Sequence, residues 1–478
     1  MTEPTIETNR EARTLKLTLR LFIAGLVVVV IAAALYHFRP DMISPLGALL
    51  ALMTCLVGLM PTIFYLLSNE KTVPFFPAVG LFQVFCFGLS PFILHLAWAG
   101  APPIIYWGGK LTLTEESIKT LVLVLVGTSA LVSMFFLARQ RFLGWLPALR
   151  IREPRDKNTT ISLLFGLALA HLAYKFVPSV SLIPSVAQFL DPVGYVVFST
   201  LLILLLKRKI RGRFKILAVL TLLLLIFARL ETFIFTPIVL LALCCIGALV
   251  YVRAYRIGSF CVLLVVLSLP IYEFTSTVRY KDGGFLKKAE AFFLVVDGYQ
   301  KGERRSEVSA VETAARRISH TWLFAHVVKK SPAEVPFWNG ETYRPLMTSI
   351  IPRAFWSGKP LEITGGLFGK RYGLLEKNSR TSLNLPWHIE TFVNFGSLGV
   401  VFGMALIGIF LAVVDKILNA PGSSALEVGI ALGVLMPMTF QDSNFSLMVG
   451  TLPQFIICLY LYFFAGGFFM RRLGWRDQ

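Results

Sequence analysis

Cysteines are few and follow no pattern that indicates chemistry. All six lie inside apolar runs, without metal-ligand spacing and without a partner in a polar segment: Cys55, Cys86, Cys244, Cys245, Cys261 and Cys458. A disulfide framework or a zinc site needs paired or closely spaced cysteines. The sequence therefore predicts no disulfide and no metal site, and no cofactor is expected.

Internal repeats are also missing, and we expect no cleavable leader. No period of about 20 to 50 residues recurs along the chain, which argues against a repeat array. The first apolar run follows a polar, basic segment at 11–20 but lacks a small-residue cleavage site. We therefore expect a retained membrane anchor with the amino terminus in the cytoplasm.

Apolar residues dominate the composition. They make up 56% of 478 residues, and the mean hydropathy is +0.70. A soluble core of this length would not bury so much apolar surface, so the bilayer must be the main solvent. At roughly 20 residues per span, the sequence predicts an all-α polytopic membrane protein with about twelve transmembrane helices, near 21–38, 45–67, 76–98, 118–138, 159–176, 190–207, 214–229, 232–252, 257–276, 391–414, 425–441 and 447–469.

Basic residues outnumber acidic ones by 46 to 27, for a net charge of +19. They cluster in short loops rather than in one basic domain, which indicates membrane topology and not nucleic-acid binding. The clusters at 140–157, 207–215, 253–256 and 471–476 all fall on one predicted side. We expect that side, and both termini, to be cytoplasmic. The predicted organisation is nine helices in 1–276, a large periplasmic loop at 277–390 and three helices in 391–478.

Two arginines lie at the outer ends of predicted spans. Arg229 is placed where a guanidinium binds phosphate oxygens in a bidentate manner. Snorkelling to the interface or pairing with Glu231 is an open alternative. Arg279 repeats this geometry where the ninth span ends. Together the two arginines are placed to flank a diphosphate.

The loop segment 340–360 carries Tyr343, Arg353 and Lys359. Prolines on both sides of Arg353 restrict the backbone there. A rigid basic loop near the membrane suits an anionic ligand, although a solvated basic loop is the plainer alternative.

A polar cluster begins the tenth predicted span, in the segment PWHIETFVNFGSLG at 386–399. Glu390 and Asn394 are four residues apart and share one face of a helix. A partly desolvated Glu390, or His388 near neutrality, is a suitable general base, and the residues alone do not decide between them. In the structural alternative, Glu390 favours the positive end of the helix dipole and His388 lies in an aromatic belt.

Other polar and small residues in this region receive structural interpretations. Glycines along the tenth span are expected to allow close approach of a neighbouring helix: Gly396, Gly399, Gly403 and Gly408. Asp442 and Asn444, in the last external turn, are expected to be solvated.

Two blocks, IPRAFWSGKP at 351–360 and HIETFVNFGSLGVV at 388–401, resemble the bacterial Wzy-type oligosaccharide repeat-unit polymerases of O-antigen and exopolysaccharide assembly. The resemblance is strongest from 340 to 408, and elsewhere it is architectural. It implies a multi-pass inner-membrane protein with a GT-C-like glycosyltransferase architecture and one large periplasmic loop. It also implies a metal-independent, inverting transfer that joins one undecaprenyl-diphosphate-linked glycan to another lipid-linked repeat unit.

The resemblance and the residue chemistry together suggest roles for the candidate residues. The base is His388 or Glu390, and substrate binding is expected from Arg229, Arg279, Arg353, Lys359, Tyr343 and Asn394. The arginines would neutralise the diphosphate leaving group, which agrees with the lack of an Asp-x-Asp pair in the external loops. Expected partners are the lipid-linked glycans, membrane lipids and a chain-length regulator, and no nucleic acid.

Three alternatives stay open. An O-antigen ligase would share this plan and differ in its acceptor. A lipid-linked oligosaccharide flippase also needs many helices, but transporters tend to have repeated halves and midplane charges. An inert scaffold would tolerate replacement of every candidate residue. A single site requires Arg229, Arg279, Arg353 and Glu390 to line one external cavity.

Overall fold

Helices form nearly all of the structure, a computed structural model that describes residues 44–68, 71–92, 104–106, 109–111, 116–151, 157–177, 184–268, 278, 285–300, 318–349, 351, 356, 358–359, 363–379, 382–383 and 385–472. Within these ranges the α-helices are α1 Pro45–Leu67, α2 Phe75–Gln83, α3 Glu116–Leu137, α4 Lys157–Phe176, α5 Pro184–Leu206, α6 Arg213–Leu230, α7 Phe235–Tyr251, α8 Tyr255–Ser268, α9 Phe285–Gln300, α10 Thr321–Lys330, α11 Arg344–Ser349, α12 Thr364–Arg371, α13 Trp387–Leu418, α14 Ala425–Met438, α15 Phe445–Val449 and α16 Leu452–Arg472. Short π-helical turns extend α2 and α3, at Val84–Gly88 and Ala138–Phe142. One antiparallel hairpin pairs β1 Ile104–Tyr106 with β2 Gly109–Leu111.

Seven helical stretches are long and apolar enough to cross a membrane: Pro45–Leu67, Phe75–Phe92, Ile118–Phe142, Asn158–Phe176, Phe189–Leu206, Trp387–Leu418 and Phe445–Phe469. The helices α7 and α14 are apolar but shorter. Eleven of the twelve predicted spans coincide in whole or in part with a described helix, and the first, 21–38, lies outside the described residues. The chain is thus a polytopic helical membrane protein, as its apolar runs predict.

The described parts of the predicted external loop are joined to the membrane helices. Just before α10, the backbone N–H of His320 donates to the carbonyl oxygen of Cys86 at 3.0 Å, within the π-helical turn. One residue later, the hydroxyls of Thr321 and Ser90 lie 2.6 Å apart. A π-helical turn leaves backbone carbonyls out of the regular ladder. The loop therefore docks where α2 departs from ideal geometry.

The helix α13 is interrupted at Phe395 and Gly396, which corrects the start of the span predicted at 391–414: its first residues belong to a short helix before the break, and one long apolar helix follows. Phe395 and Gly396 have non-helical backbone angles, with φ of +65° at Gly396. A Cβ atom on Gly399 would overlap the carbonyl oxygen of Thr391, and one on Gly403 would lie 2.5 Å from Cγ2 of Thr391. Residues 12 apart in a straight helix are separated by roughly 18 Å. The chain therefore reverses at Gly396, and the short helix 387–394 packs beside the longer helix that follows.

At the opposite end of the bundle, α14 begins with a capping box. The Ser424 hydroxyl accepts from the N–H of Glu427 at 3.2 Å, and the Glu427 carboxylate accepts from the N–H of Ser424 at 2.8 Å. Glu427 also accepts from the N–H of Ile151 at 2.9 Å. The cap thus fixes the loop after α3 as well as the start of α14.

Replacing Ser424 with alanine should lower the free energy of unfolding by about 1 kcal/mol, since an amide at the start of α14 loses its acceptor. Equilibrium unfolding in detergent micelles measures the change. Ser423→Ala is the matched control, because the Ser423 hydroxyl donates to the carbonyl of Ala420 and accepts from Arg150 but does not cap a helix amide. Equal losses in the two variants would contradict a specific capping role.

Candidate functional site

The short helix 387–394 is buried along its whole length and carries three of the candidate residues, His388, Glu390 and Asn394. Its carboxyl end is capped by the predicted external loop. The backbone N–H groups of Trp338 and Asn339 donate to the carbonyl oxygens of Val393 and Asn394, at 3.0 and 3.1 Å. These bonds satisfy carbonyls that a helix end leaves without partners. The loop therefore holds the short helix in place.

Glu390 joins this helix to two distant segments. One carboxylate oxygen accepts from the Thr342 hydroxyl at 2.7 Å, and the other accepts from the backbone N–H of Phe445 at 2.6 Å. The side-chain amide of Asn394 donates to the same Thr342 hydroxyl at 2.8 Å and accepts from the N–H of Gly340 at 2.9 Å. Glu390 and Asn394 thus lie on one face, and both hold the loop around residue 342.

Sequence reasoning missed two residues of this cluster, Thr342 and Ser446. Thr342 is buried and lies in the segment 340–344, from which sequence reasoning selected only Tyr343. Ser446 donates to the backbone carbonyl of Thr342 at 2.8 Å, so it supports that turn from α15. A threonine between glutamate and tyrosine in a polar loop has no pattern that indicates a buried partner. Its role follows only from the contacts.

Tyr343 lies beside the cluster, with its ring stacked on Phe395 at 6.4 Å between centroids. Burial, together with the negative charge of Glu390, raises the pKa of the Tyr343 hydroxyl far above its usual range. The phenol therefore stays protonated at any physiological pH. It is a hydrogen-bond donor next to the carboxylate.

His388 points away from Glu390. Two residues in a helix are roughly 200° apart around the axis, and the imidazole Nε2 lies 3.3 Å from the Thr128 hydroxyl on α3. The ring also packs against Phe87, with 4.6 Å between centroids. Both candidate bases are fully buried, and the structure does not bring their side chains together.

A second polar cluster links α2, α10 and the turn 439–444. His320 Nε2 lies 2.9 Å from a carboxylate oxygen of Asp442, and the amides of Gln83 and Gln441 are 2.6 Å apart. Asp442 is only 2% exposed. The expectation that Asp442 and Asn444 are solvated is therefore wrong, because the turn folds inward against α2. No pattern in the sequence predicted this cluster.

Arg229 is paired, but not with Glu231. Its guanidinium donates to the Asp191 carboxylate at 2.8 Å and to the Asp191 backbone carbonyl at 2.7 Å. The Tyr195 ring lies 4.2 Å beneath the guanidinium carbon. Lys175 reaches the same Asp191 oxygen at 2.6 Å. Two cations from α4 and α6 therefore share one carboxylate on α5.

A cavity of about 450 Å³ lies beside this charge cluster. Asp191 and Tyr195 line part of it, and residues of the segment 440–455 line another part. Its remaining lining is mostly apolar: Pro192, Thr236, Leu240, Gly433, Val434, Pro437 and Met438. Arg229 and Glu390 do not themselves line this cavity, so it is not the single shared cavity expected from the sequence. Arg229 is connected to it through Asp191, and Glu390 accepts from the backbone N–H of Phe445, in the segment that also lines the cavity.

Lys359 makes hydrogen bonds within its own loop. Its ammonium group donates to the carbonyl oxygen of Ile351 at 2.9 Å and lies 3.4 Å from that of Ser349 at the end of α11. A lysine near a helix carboxyl end stabilises exposed carbonyls there.

Arg279 and Arg353 lie outside the described residues. Within the described ranges, no group of three or more histidine, cysteine or acidic side chains is arranged to hold a metal ion.

Fold and site together define a polytopic helical membrane protein with buried polar and charged groups around one end of the helix bundle. The chain belongs to the family described as Domain of unknown function (DUF8712), whose family model matches residues 123–465. The matched region includes both the Arg229 cluster and the Glu390 cluster. Comparisons with curated proteins and with solved structures give no match.

Proposed function

We propose that this protein is a Wzy-type polysaccharide polymerase of the bacterial inner membrane, with both termini in the cytoplasm. It joins undecaprenyl-diphosphate-linked repeat units at the periplasmic face by metal-independent, inverting glycosyl transfer. The observation that carries the proposal is Glu390, a buried carboxylate on a membrane helix. It connects that helix to the external loop and to α15. Charged groups in such places are costly and are seldom without function.

In the proposed reaction, a sugar hydroxyl of the acceptor attacks the anomeric carbon of the donor from the face opposite the diphosphate. A new C–O bond forms, and the C–O bond to the diphosphate breaks with its electron pair leaving on the lipid diphosphate. Glu390 takes the hydroxyl proton when a donor such as Thr342 releases one carboxylate oxygen. His388 is the second candidate base, and it takes the proton of a substrate that approaches from the side of α3.

Cations and donors around the site support the departure of the diphosphate. Arg229 and Lys175 are fixed near one cavity wall by Asp191, and Arg279, Arg353 and Lys359 are assigned the same role from the sequence. A preorganised positive charge stabilises the negative charge that develops on the leaving group. Asn394 and the protonated Tyr343 add hydrogen-bond donors for the sugars.

The test is glycan length on a gel, in a strain whose only copy carries Glu390→Gln. We expect single repeat units, since removal of a general base lowers rates by about 10²–10⁴. His388→Gln, examined in parallel, identifies which of the two side chains is the base. Glu334→Gln is the matched control, because Glu334 is an external carboxylate that is 63% exposed and pairs only loosely with Lys330 at 3.7 Å.

Each other outcome contradicts the proposal in a specific way once equal expression has been verified. Missing periplasmic repeat units would indicate a flippase. Long lipid-linked chains that are not transferred further would indicate a ligase. Normal polymer from both Glu390→Gln and His388→Gln would exclude this site.

A further inference from the structure

The cavity beside Asp191 combines apolar walls with an unusual balance of charge. Arg229 and Lys175 contribute two positive charges, and Asp191 contributes one negative charge. Arg229 is only 3% exposed, whereas the Asp191 side chain is 38% exposed and faces the cavity. The anion of this cluster is therefore its accessible member, and the cations are held behind it.

Two further contacts help to hold the Arg229 guanidinium. It also donates to the Asp191 backbone carbonyl and lies over the Tyr195 ring. These contacts do not depend on the Asp191 side chain. A different anion in the cavity can therefore meet a preformed cationic site.

We propose that the cavity binds the head and first chain units of a polyprenyl diphosphate, whose phosphate replaces Asp191 as the counter-ion of Arg229 and Lys175. The choice of this lipid rests on the proposed function. Asp191 acts as an internal counter-ion that neutralises the two cations when lipid is absent and turns away from them when lipid binds.

Size, shape and charge favour this occupant. A volume of about 450 Å³ lies within the range of small-molecule sites. Apolar side chains such as Leu240, Val434 and Phe455 suit a hydrocarbon chain, and the cations lie at one side of it. A phosphate group carries more negative charge and more acceptor oxygens than a carboxylate, so it pairs better with two cations.

Binding of undecaprenyl diphosphate to the purified full-length protein in detergent tests the proposal. Asp191→Asn keeps a hydrogen-bond acceptor for Arg229 but removes the competing charge, so affinity should rise about tenfold. Arg229→Gln should weaken binding at least as much. Glu231→Gln is the matched control, because Glu231 lies two residues from Arg229 but does not pair with it in the structure.

A second pair of variants examines the chain-binding part of the cavity. Leu240→Trp fills the cavity and should weaken lipid binding by about tenfold. Leu223→Trp makes the same change at a side chain that is 57% exposed on the outer face of α6, and it should bind normally. Heat unfolding of each variant without lipid verifies that it is folded.

Several results would overturn the inference. Affinity that is unchanged in both Asp191→Asn and Arg229→Gln would exclude the counter-ion exchange. Equal binding of phosphatidylglycerol would exclude a polyprenyl diphosphate site, and equal binding of inorganic diphosphate would exclude use of the apolar walls. If binding behaves as expected while cells with Glu390→Gln and His388→Gln make normal polymer, the proposed function fails alone. If Glu390→Gln stops polymerisation but Asp191→Asn and Arg229→Gln both bind the lipid as tightly as the unmodified protein, the inference fails alone.

Discussion

Asp191→Ala should lower the free energy of unfolding by about 3 kcal/mol, because it leaves Arg229 buried without a counter-ion. The guanidinium keeps its contacts with the backbone at 191 and with Tyr195, but these do not neutralise its charge. Equilibrium unfolding of the purified protein in mixed micelles measures the loss. If the lipid inference holds, undecaprenyl diphosphate should restore much of this stability.

Lys175→Ala is the control that distinguishes the two cations. Lys175 shares the Asp191 oxygen, but its removal leaves Asp191 paired with Arg229. We expect a loss of about 1 kcal/mol, as for a partly exposed ion pair. Losses of equal size for Asp191→Ala and Lys175→Ala would show that the burial of Arg229 does not determine the cost.

Gly396→Ala should lower the free energy of unfolding by about 3 kcal/mol. A φ of +65° is strained for any residue with a Cβ atom, at about 1–2 kcal/mol. The new Cβ would also lie 2.9 Å from the Phe337 ring, so the loop around residue 337 would have to move. Because Gly396 reverses the chain after the short helix, the same change should reduce polymer length in cells.

Gly422→Ala separates the two contributions. Gly422 has a φ of +75°, but a Cβ atom there meets nothing within 4 Å. It should therefore cost only the backbone strain, about 1 kcal/mol. Equal costs at 396 and 422 would mean that packing against Phe337 contributes nothing to the chain reversal.

Hydrophobic periodicity and run length predicted most of the helices, because a bilayer requires a minimum apolar length and allows few other structures. The ranges 45–67, 118–138 and 159–176 agree closely with described helices. The run at 391–414 was predicted as one continuous helix because Phe395 is apolar and Gly396 is small, so neither interrupts the hydropathy pattern. A hydropathy pattern contains no information on the sign of φ, so the reversal at Gly396 was hidden.

Spacing within one helix predicted part of the candidate site. Glu390 and Asn394 share a face, as residues four apart must. Their partners could not be predicted, since Thr342 is 48 residues and Phe445 is 55 residues from Glu390 in the chain. The same limit applies to Arg229, whose partner Asp191 is 38 residues away. Glu231 was the acidic residue near Arg229 that the sequence suggested as its partner.

By itself, the sequence determined that this chain is a membrane-embedded bundle of helices, with polar residues near the ends of its spans. Local physics is sufficient for that, because burial in lipid acts on every segment independently. Tertiary structure decided which polar groups meet: Asp191 with Arg229 and Lys175, His320 with Asp442, and Glu390 with Thr342. Such contacts arise when separate helices pack and buried polar groups must find partners, and that depends on the whole chain at once.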